Sequence, residues 1–356
     1  MRKRSRWIWG AASVVLIAAA GVAAYIGNEV RVAANRMYEP LSPARASYEV
    51  QDPELQAWRA GVGTDETAAA GGTPAGAQAW AKAPTEASAE TAAEAGPGAP
   101  AEAATAARRS AGAFTVLLAG VDEREGDRGR TDTLMVLTVN EKRESALMFS
   151  IPRDTYAELY PKGTKDKINH AYAFSGIEGT VATVEHFLDM PIDHYIKVNM
   201  EGFAQIVDTL GGVDVTNTIE FDYLGVHFPV GQLHLNGAEA LDFTRMRYDD
   251  PRGDFGRNER QRQVLNHLVN KAADWKNSLD ITRILKSVSR SVKTDFTLAQ
   301  LTELVTKHRG VAHSVQSTEV RGQGKMMGGI YYYMVDSQER KRLHDEMKSY
   351  LMDGGS

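Results

Sequence analysis

One stretch of this chain, from Ala60 to Gly112, limits what the rest can fold into. It consists mainly of Ala, Gly, Thr, Pro and Glu, contains no Leu, Ile or Phe, and has only Val62 and Trp80 as large or branched apolar residues. Such a segment cannot bury enough apolar surface to fold alone. A disordered chain of about 50 residues has a typical end-to-end distance of roughly 40 Å. We therefore expect residues 60–112 to form a disordered tether before a folded domain at residues 113–356, which the tether leaves free to reorient.

The N-terminus has the pattern of a membrane-spanning signal anchor. Four basic residues within the first six precede an uncharged run from Trp7 to Gly27, and about 21 residues suffice to cross a hydrocarbon core of roughly 30 Å. Positive charge on this side predicts that residues 1–6 are cytoplasmic and that the chain after the span lies outside. Residues 28–59 would then form a juxtamembrane stalk. A cleaved signal peptide is the alternative, because small residues at Ala18–Ala20 offer a cleavage site.

The composition is that of a globular domain with a predicted membrane span and tether. Of its 356 residues, 43% are hydrophobic and 24% are charged, which is sufficient for a large core. The net charge of -5 provides no overall basic field, so we expect no nucleic-acid partner and only local anion sites. The chain contains no cysteine, which excludes disulfides and thiolate chemistry.

From Phe114 onward the hydrophobic pattern predicts a folded domain with both helices and strands. Short apolar runs predict buried strands, and apolar residues at helical spacing predict helices. The predicted strands are Thr115–Val121, Thr133–Val139, Ser145–Ile151, Tyr195–Val198 and Ile330–Val335, and the predicted helices are Thr180–Leu188, Gly202–Leu210 and Gln338–Leu351. Asn236 with Glu239, and Thr297 with Gln300, have the spacing of helix N-terminal caps. The pattern therefore predicts mixed α and β elements around one sheet.

The segment from Thr244 to Gln263 contains six arginines and three aspartates around a Pro/Gly turn. This density of guanidinium groups indicates a polyanionic ligand such as phosphate. Arg245 and Arg247 project from one side if the chain is extended between them. Arg257 and Gln261 are four residues apart and share one face of a helix.

Other candidate site residues lie at the ends of the predicted strands. Asp122 follows the first strand and Asp132 precedes the second. Two carboxylates close together offer hard oxygen ligands for Mg²⁺, which commonly adds substrate phosphate oxygens; alternatively, Asp132 only caps a strand. Arg153 and Lys167 lie at further element boundaries, where they could neutralise a pyrophosphate or form surface ion pairs. His170 fits a packed or capping residue better than a base, and the chain has no HExxH spacing.

Eight short motifs occur in a fixed order along the domain. They are Gly-Val-Asp122, Arg130-Thr-Asp132-Thr, Ile-Pro-Arg153-Asp154, Lys167-Ile-Asn-His-Ala, Gly211-Gly-Val-Asp214-Val, Leu-Asn-Gly237-Ala-Glu-Ala-Leu, Arg245-x-Arg247 and Arg257-x-x-x-Gln261. Over roughly residues 113–275 this set resembles the LytR-CpsA-Psr family. The resemblance implies an α/β fold with three layers, α/β/α, around a central mixed sheet at the outer face of a Gram-positive membrane. It also implies transfer of a glycopolymer, of wall teichoic acid or capsule type, from undecaprenyl pyrophosphate to peptidoglycan as a phosphodiester.

The resemblance further implies roles for individual residues. Asp122 and Asp132 would hold Mg²⁺ or Mn²⁺ on the pyrophosphate. The residues expected around the phosphates are Arg130, Arg153, Lys167, Arg245, Arg247, Arg257 and Gln261. The expected catalytic set is Asp122, Arg153, Arg245 and Arg247. Asp154 and Asp249 are expected to orient arginines.

Two other functions remain open from the sequence. The same pocket could bind polyprenyl pyrophosphates and only hydrolyse or sense them. The chain could instead be a membrane-bound regulator of envelope genes. About six residues precede the predicted span, and they offer no helix-turn-helix pattern. The predicted topology therefore speaks against the regulator, and a membrane-lipid partner is expected with either of the other functions.

Overall fold

The computed structural model describes residues 27–42, 48–53, 55–56, 112–123, 129–273, 286–287, 289–307 and 309–352. The predicted span at 7–27 and the predicted tether at 60–112 lie outside these ranges, except for their last residues Gly27 and Gly112. Within the described ranges, no helix combines the length and the apolar character that crossing a membrane requires.

A six-stranded mixed sheet forms the centre of the domain. The strands along the chain are β1 (Ala113–Val121), β2 (Thr131–Asn140), β3 (Ser145–Ser150), β4 (Tyr156–Leu159), β5 (Thr164–Lys167), β6 (His194–Asn199), β7 (Val213–Asn217), β8 (Phe221–Tyr223), β9 (Val226–Phe228), β10 (Gly231–Leu235), β11 (Val292–Thr294), β12 (Val315–Ser317), β13 (Gln323–Met327) and β14 (Ile330–Met334). The order in the central sheet is β11-β6-β1-β2-β3-β12. Because β1 is antiparallel to β2 and parallel to β6, and β2 is antiparallel to β3, the ends of β1, β3 and β6 meet the start of β2 at one end of the sheet.

The helices along the chain are α1 (residues 27–37), α2 (His170–Leu188), α3 (Met200–Thr209), α4 (Gly237–Arg245), α5 (Asp254–Ala273), α6 (Leu298–Lys307), α7 (Arg309–Ala312) and α8 (Ser337–Met352). The helix predicted at Thr180–Leu188 begins earlier, at His170, and is interrupted at Gly176, which has a φ of 64°. Glycine tolerates this conformation because it has no Cβ.

Apolar side chains on the two faces of the central sheet enter different cores. Leu117 and Ala119 of β1 join α2 and α8 in one core, whereas Val116 and Leu118 join residues of α6 and α7 in another. Successive side chains of a strand point to opposite faces of the sheet, which produces this division. A mixed α/β fold around a central mixed sheet is thus confirmed, as are the four strands predicted between Thr115 and Val198.

A second lobe packs α3, α4 and α5 against two small antiparallel pairs, β7–β10 and β8–β9. Its helix α4 begins at the predicted cap, where the Asn236 side chain accepts from the Glu239 N–H and the Glu239 side chain accepts from the Asn236 N–H. This reciprocal pair satisfies two N–H groups that the first helical turn leaves unpaired. The cap fixes the start of the helix that ends at Arg245.

Residues before the predicted tether belong to the folded domain. Val50 and Leu55 are 2% and 0% exposed and lie in the core formed with α2 and α8. Tyr38 forms a parallel bridge to Thr294 of β11, and Asp52 pairs with Lys348 of α8 at 2.7 Å. The described part of residues 28–59 thus packs as part of the domain rather than as the separate stalk that the sequence indicated.

Two hairpins, β4–β5 and β13–β14, lie beside the end of the sheet where β1 and β3 end. Thr155 forms a bridge to Tyr333 of β14, and the Tyr333 N–H donates to the Asp154 carbonyl at 2.8 Å. The turn between β13 and β14 is Gly328-Gly329, and both residues have positive φ, as a tight hairpin turn requires. The second hairpin is thereby fixed to the residues that follow β3.

Candidate active site

Asp122 packs closely against the backbone of Gly129. It follows β1 directly, and its N–H donates to the carbonyl of Arg130 at 3.1 Å. Gly129 has a φ of +71°, and a Cβ at this position would lie 2.0 Å from the Asp122 carbonyl oxygen. Any larger residue would therefore displace the backbone of Asp122. Arg130 itself is exposed.

A β-bulge at the start of β2 presents Asp132. Gly120 pairs with Thr133, but the next residue of β1, Val121, pairs with Thr131. Asp132 is consequently an extra residue in β2, and bulges of this kind redirect a side chain at the end of a sheet. Its side chain is 30% exposed and accepts a hydrogen bond from Arg153.

Arg153 joins the residues after β3 to this bulge. Its Nη1 donates to Asp132 Oδ1 at 2.8 Å, and its Nε lies 3.8 Å from Asp154 Oδ2. Burial lowers the pKa of Arg153, but the charge of Asp132 and the hydrogen bond to it outweigh burial, so the pKa is raised. The guanidinium is therefore held in place and charged.

Arg257, from the second lobe, also contacts Asp132. It lies in the first turn of α5 and is 4% exposed; its Nη2 lies 2.7 Å from Asp254 Oδ1 and 3.4 Å from the carbonyl oxygen of Asp132. Burial lowers the pKa of Arg257; Asp254 opposes this, and the positive charges of Arg153 and Arg247 lower the pKa further. The positive charges of Arg153 and Arg247 thus repel that of Arg257 across this site, and a bound anion would relieve that repulsion.

Arg245 and Arg247 lie where α4 ends. The helix stops at Arg245, and Met246 has extended angles, φ −59° and ψ 137°, as the sequence argument required. The guanidinium carbon of Arg247 lies 4.5 Å from the centre of the Tyr248 ring, which is 83% exposed. Gln261 supports this helix end, because its Nε2 donates to the carbonyl of Thr244 at 3.3 Å.

Three of the six arginines in this segment pair with groups outside the phosphate site. Arg260, 5% exposed, donates to the carbonyls of Phe243 and Met246 and, at 2.6 Å, to Asp250 Oδ2. Arg252 pairs with Glu259, and Arg262 pairs with Glu319 at 3.3 Å.

The aspartate that orients an arginine here is Asp250, whose side chain is 0% exposed. The sequence analysis named Asp249 instead, which is exposed, so that expectation is corrected. Asp154 does contact cations as expected, pairing with Lys167 Nζ at 2.6 Å as well as with Arg153. Lys167 is therefore linked to Arg153 by the carboxylate that both contact, that of Asp154. Asp254 was missed, although its position three residues before Arg257 on a helix could have indicated it.

Asp122 and Asp132 lie at the ends of the adjacent strands β1 and β2, and the Asp132 carboxylate contacts Arg153. Among the described residues there is no group of three or more His, Asp or Glu side chains arranged to hold a metal ion. Mg²⁺ usually binds through one or two carboxylates and completes its shell with water and substrate phosphate. The donor set therefore fits a divalent ion that binds together with a phosphorylated substrate.

Comparison with known proteins gives consistent results. The model of the LytR_cpsA_psr family matches residues 79–349. The polyisoprenyl-teichoic acid--peptidoglycan teichoic acid transferase TagU of Bacillus subtilis (strain 168) is 48% identical over 238 residues, which cover 67% of this chain and 78% of that protein. The crystal structure of B. subtilis TagU has a TM-score of 0.56 at 44% identity and covers 67% of this chain and 96% of that one. The structure of TagT bound to LI-WTA has a TM-score of 0.59 at 30% identity and covers 67% and 90%, respectively.

Proposed function

This chain belongs to the LytR-CpsA-Psr family, and on that premise we propose that it transfers a phosphate-linked glycopolymer from undecaprenyl pyrophosphate to peptidoglycan. The observation that carries the proposal is the convergence of Arg153 and Arg257 on Asp132. Arg257 is buried, and burial lowers its pKa, which the positive charges of Arg153 and Arg247 lower further. A polyanion with two adjacent phosphates would satisfy such a site. The relative TagU is named as a teichoic acid transferase that acts on peptidoglycan.

The proposed reaction is a phosphoryl transfer. A sugar hydroxyl of the acceptor attacks the phosphorus nearer the glycopolymer, and a new P–O bond forms to that oxygen. The bond from this phosphorus to the bridging oxygen breaks, and undecaprenyl phosphate leaves with the electron pair. The hydroxyl proton is lost to a base, for which Asp122 is the candidate among the carboxylates at this end of the sheet.

The protein's contribution is to hold charged groups where charge develops. Negative charge grows on the bridging oxygen and the leaving phosphate, so fixed guanidinium groups stabilise the transition state more than the ground state. Arg153 is fixed by Asp132, and Arg257 is fixed by Asp254. Arg245, Arg247, Gln261, Lys167 and Arg130 complete the proposed phosphate-binding set. Mg²⁺ or Mn²⁺ held by Asp122 and Asp132 would supply further neutralisation of the phosphates.

We assign the place of action to the outer face of a Gram-positive cell membrane, with the N-terminus cytoplasmic. The support is the basic N-terminus followed by the uncharged run at residues 7–27. A lipid-linked donor would be reached by a domain whose packed residues begin directly after that run. Undecaprenyl pyrophosphate and membrane lipid are accordingly the proposed lipid partners.

The experiment compares two arginines of one loop. Full-length protein in detergent is given a short synthetic polyprenyl-pyrophosphate oligosaccharide and uncross-linked peptidoglycan, and the products are measured by mass spectrometry. Arg247→Ala should lower transfer by about 100-fold or more, because one fixed donor to developing charge is worth that much. Arg252→Ala is the matched control, since the Arg252 side chain pairs with Glu259 and, at 3.4 Å, with Asp250, and it should retain activity. Full activity of Arg247→Ala with saturating lipid would refute the assignment.

A further inference from the structure

A small cleft opens beside the arginines, between α5, the residues after β3 and the β13–β14 hairpin. Its walls include Asp154, Asp254, Asn258, Tyr331 and Tyr333, and its interior volume is about 20 Å³. One water or hydroxyl group needs roughly 10–15 Å³ by this kind of measure. The interior therefore has room for a single hydroxyl-sized group, and anything larger must remain at the mouth.

The lining differs in charge from the neighbouring phosphate site. Among the described residues, the lining contains two carboxylates, an amide and aromatic rings, but no lysine, arginine or histidine. Both carboxylates are tied to the phosphate-site cations, since Asp254 lies 2.7 Å from Arg257 and Asp154 lies 3.8 Å from Arg153. The cleft is thus joined to the arginines by these two ion pairs, yet its own carboxylates repel phosphate.

Asp254 carries buried acceptor atoms in this cleft. Within the described part of the chain neither of its carboxylate oxygens has a hydrogen-bond partner, although Oδ1 forms an ion pair with Arg257 at 2.7 Å. A buried acceptor without a donor is costly, so this carboxylate is suited to a hydroxyl that enters the cleft. Asn258 is 5% exposed and lies four residues after Asp254, which places both on one face of α5.

An aromatic ring stands at the mouth of the cleft in a fixed position. Tyr331 is 46% exposed, and its ring lies across the hairpin over Gly324, where a Cβ would come within 2.7 Å of the ring. Tyr333, at the inner end, packs edge-on against Phe255 at 5.4 Å between ring centres. The exposed ring is therefore held by the hairpin rather than free to fold away.

We propose that this cleft binds a neutral sugar ring of the glycan acceptor, with one ring hydroxyl entering between Asp254 and Asn258 and the ring resting on Tyr331. A carboxylate accepts from a hydroxyl, an amide can donate or accept, and an aromatic face covers the apolar face of a sugar. The inference rests on the proposed function for its choice of acceptor. A phosphate-rich donor polymer is disfavoured by the carboxylate lining, whereas an uncharged sugar is not.

The position also suits the chemistry. The attacking hydroxyl has to lie within about 3–3.5 Å of the phosphorus in a reactive complex. A sugar anchored one ion pair from Arg153 and Arg257 presents its neighbouring hydroxyls toward the phosphates that these arginines would hold. Asp254 then has two contacts, one to Arg257 and one to the acceptor, and couples the two subsites.

The test uses two variants and one matched control in the full-length protein. Tyr331→Ala removes the exposed ring, and Asn258→Leu keeps the volume but cannot form hydrogen bonds; circular dichroism verifies that both remain folded. Tyr38→Ala is the control, because Tyr38 is 43% exposed and lies next to β11, at the opposite edge of the sheet from β3. Binding of chitotetraose, an uncharged oligosaccharide, is measured by calorimetry, and KM values are measured for donor and acceptor separately.

Each cleft variant should weaken chitotetraose binding and raise the acceptor KM by about fivefold or more, the worth of one hydrogen bond or ring contact, while the donor KM stays unchanged. Unchanged chitotetraose binding in both variants, or no binding by the unsubstituted protein, would overturn the proposal. A rise in donor KM alone would assign the cleft to the donor glycan instead. Because binding needs no turnover, loss of the proposed transferase function and loss of this inference give different results.

Discussion

Replacing Asp250 with alanine tests how the arginine segment is held. The Asp250 side chain is 0% exposed and pairs with Arg260 at 2.6 Å, and it also accepts from the Arg252 N–H at 2.9 Å. Arg260 in turn donates to the carbonyls of Phe243 and Met246. One buried ion pair therefore fixes the end of α4, from which Arg245 and Arg247 project.

The expected loss of stability follows from the buried charge that remains. Removing one partner of a buried ion pair typically costs about 3–5 kcal/mol, because the other charge is left uncompensated. For a domain of this size that corresponds to a fall in Tm of roughly 6–20 °C. Asp249→Ala is the control: Asp249 is adjacent and exposed, and surface changes of this kind remain within about 0.5 kcal/mol.

Urea unfolding followed by circular dichroism measures both variants, and the double variant Asp250→Ala/Arg260→Met completes the cycle. The double variant should regain part of the loss, because an apolar replacement removes the unpaired charge as well. Equal stability of Asp250→Ala and Asp249→Ala would refute the reasoning. So would a double variant that is less stable than Asp250→Ala.

The contribution of Asp250 to stability depends on pH in a direction that its pKa determines. Burial raises the pKa of Asp250, but hydrogen bonds from the Arg252 N–H and the Arg260 guanidinium outweigh burial, so the pKa lies below the ordinary value of 3.8. A carboxyl group whose pKa is lower in the folded state stabilises the fold above its unfolded pKa, near 4, and loses that contribution as the pH falls further. The difference in stability between the natural protein and Asp250→Ala should therefore shrink as the pH falls below about 4.

Three further predictions concern other parts of the domain. Leu55→Ala should lower the free energy of unfolding by about 2–5 kcal/mol in urea titrations, because Leu55 is 0% exposed in the core; no change would mean that residues 48–56 do not pack there. Gly129→Ala should lower transfer by roughly 100-fold through displacement of Asp122, with Gly163→Ala, where a Cβ meets only Glu158 at 3.9 Å, as the control. Chelation of divalent ions should abolish transfer and added Mg²⁺ should restore it, whereas activity in excess chelator would exclude the metal role of Asp122 and Asp132.

Strands and helices that depend on a short local sequence pattern were predictable from the sequence. β1, β2, β3 and β6 come from short apolar runs, and α4 begins at a capping box that the spacing of Asn236 and Glu239 reveals. The family was predictable as well, because eight ordered motifs are specific where a single motif is not, and the comparisons confirm it.

Features that depend on distant residues were not predictable. The choice between Asp249 and Asp250 depends on which one faces Arg260 across the loop, and the two have the same local chemistry. Val50 and Leu55 lie in a mixed segment with no clear period, and the core that they join is formed by distant residues of α2, α8 and the central sheet. The cleft at Asn258 and Tyr331 joins residues more than 70 positions apart, so no local pattern could show it.

The proposed reaction breaks the bond from one donor phosphorus to the oxygen that bridges the two phosphates. The most direct measurement is ³¹P NMR with mass spectrometry of the products from a synthetic polyprenyl-pyrophosphate oligosaccharide and a peptidoglycan acceptor, using the full-length protein. We expect polyprenyl monophosphate together with a glycan phosphodiester that retains the second phosphorus. Release of polyprenyl pyrophosphate, with the sugar joined directly to the acceptor, would show glycosyl transfer and refute phosphoryl transfer.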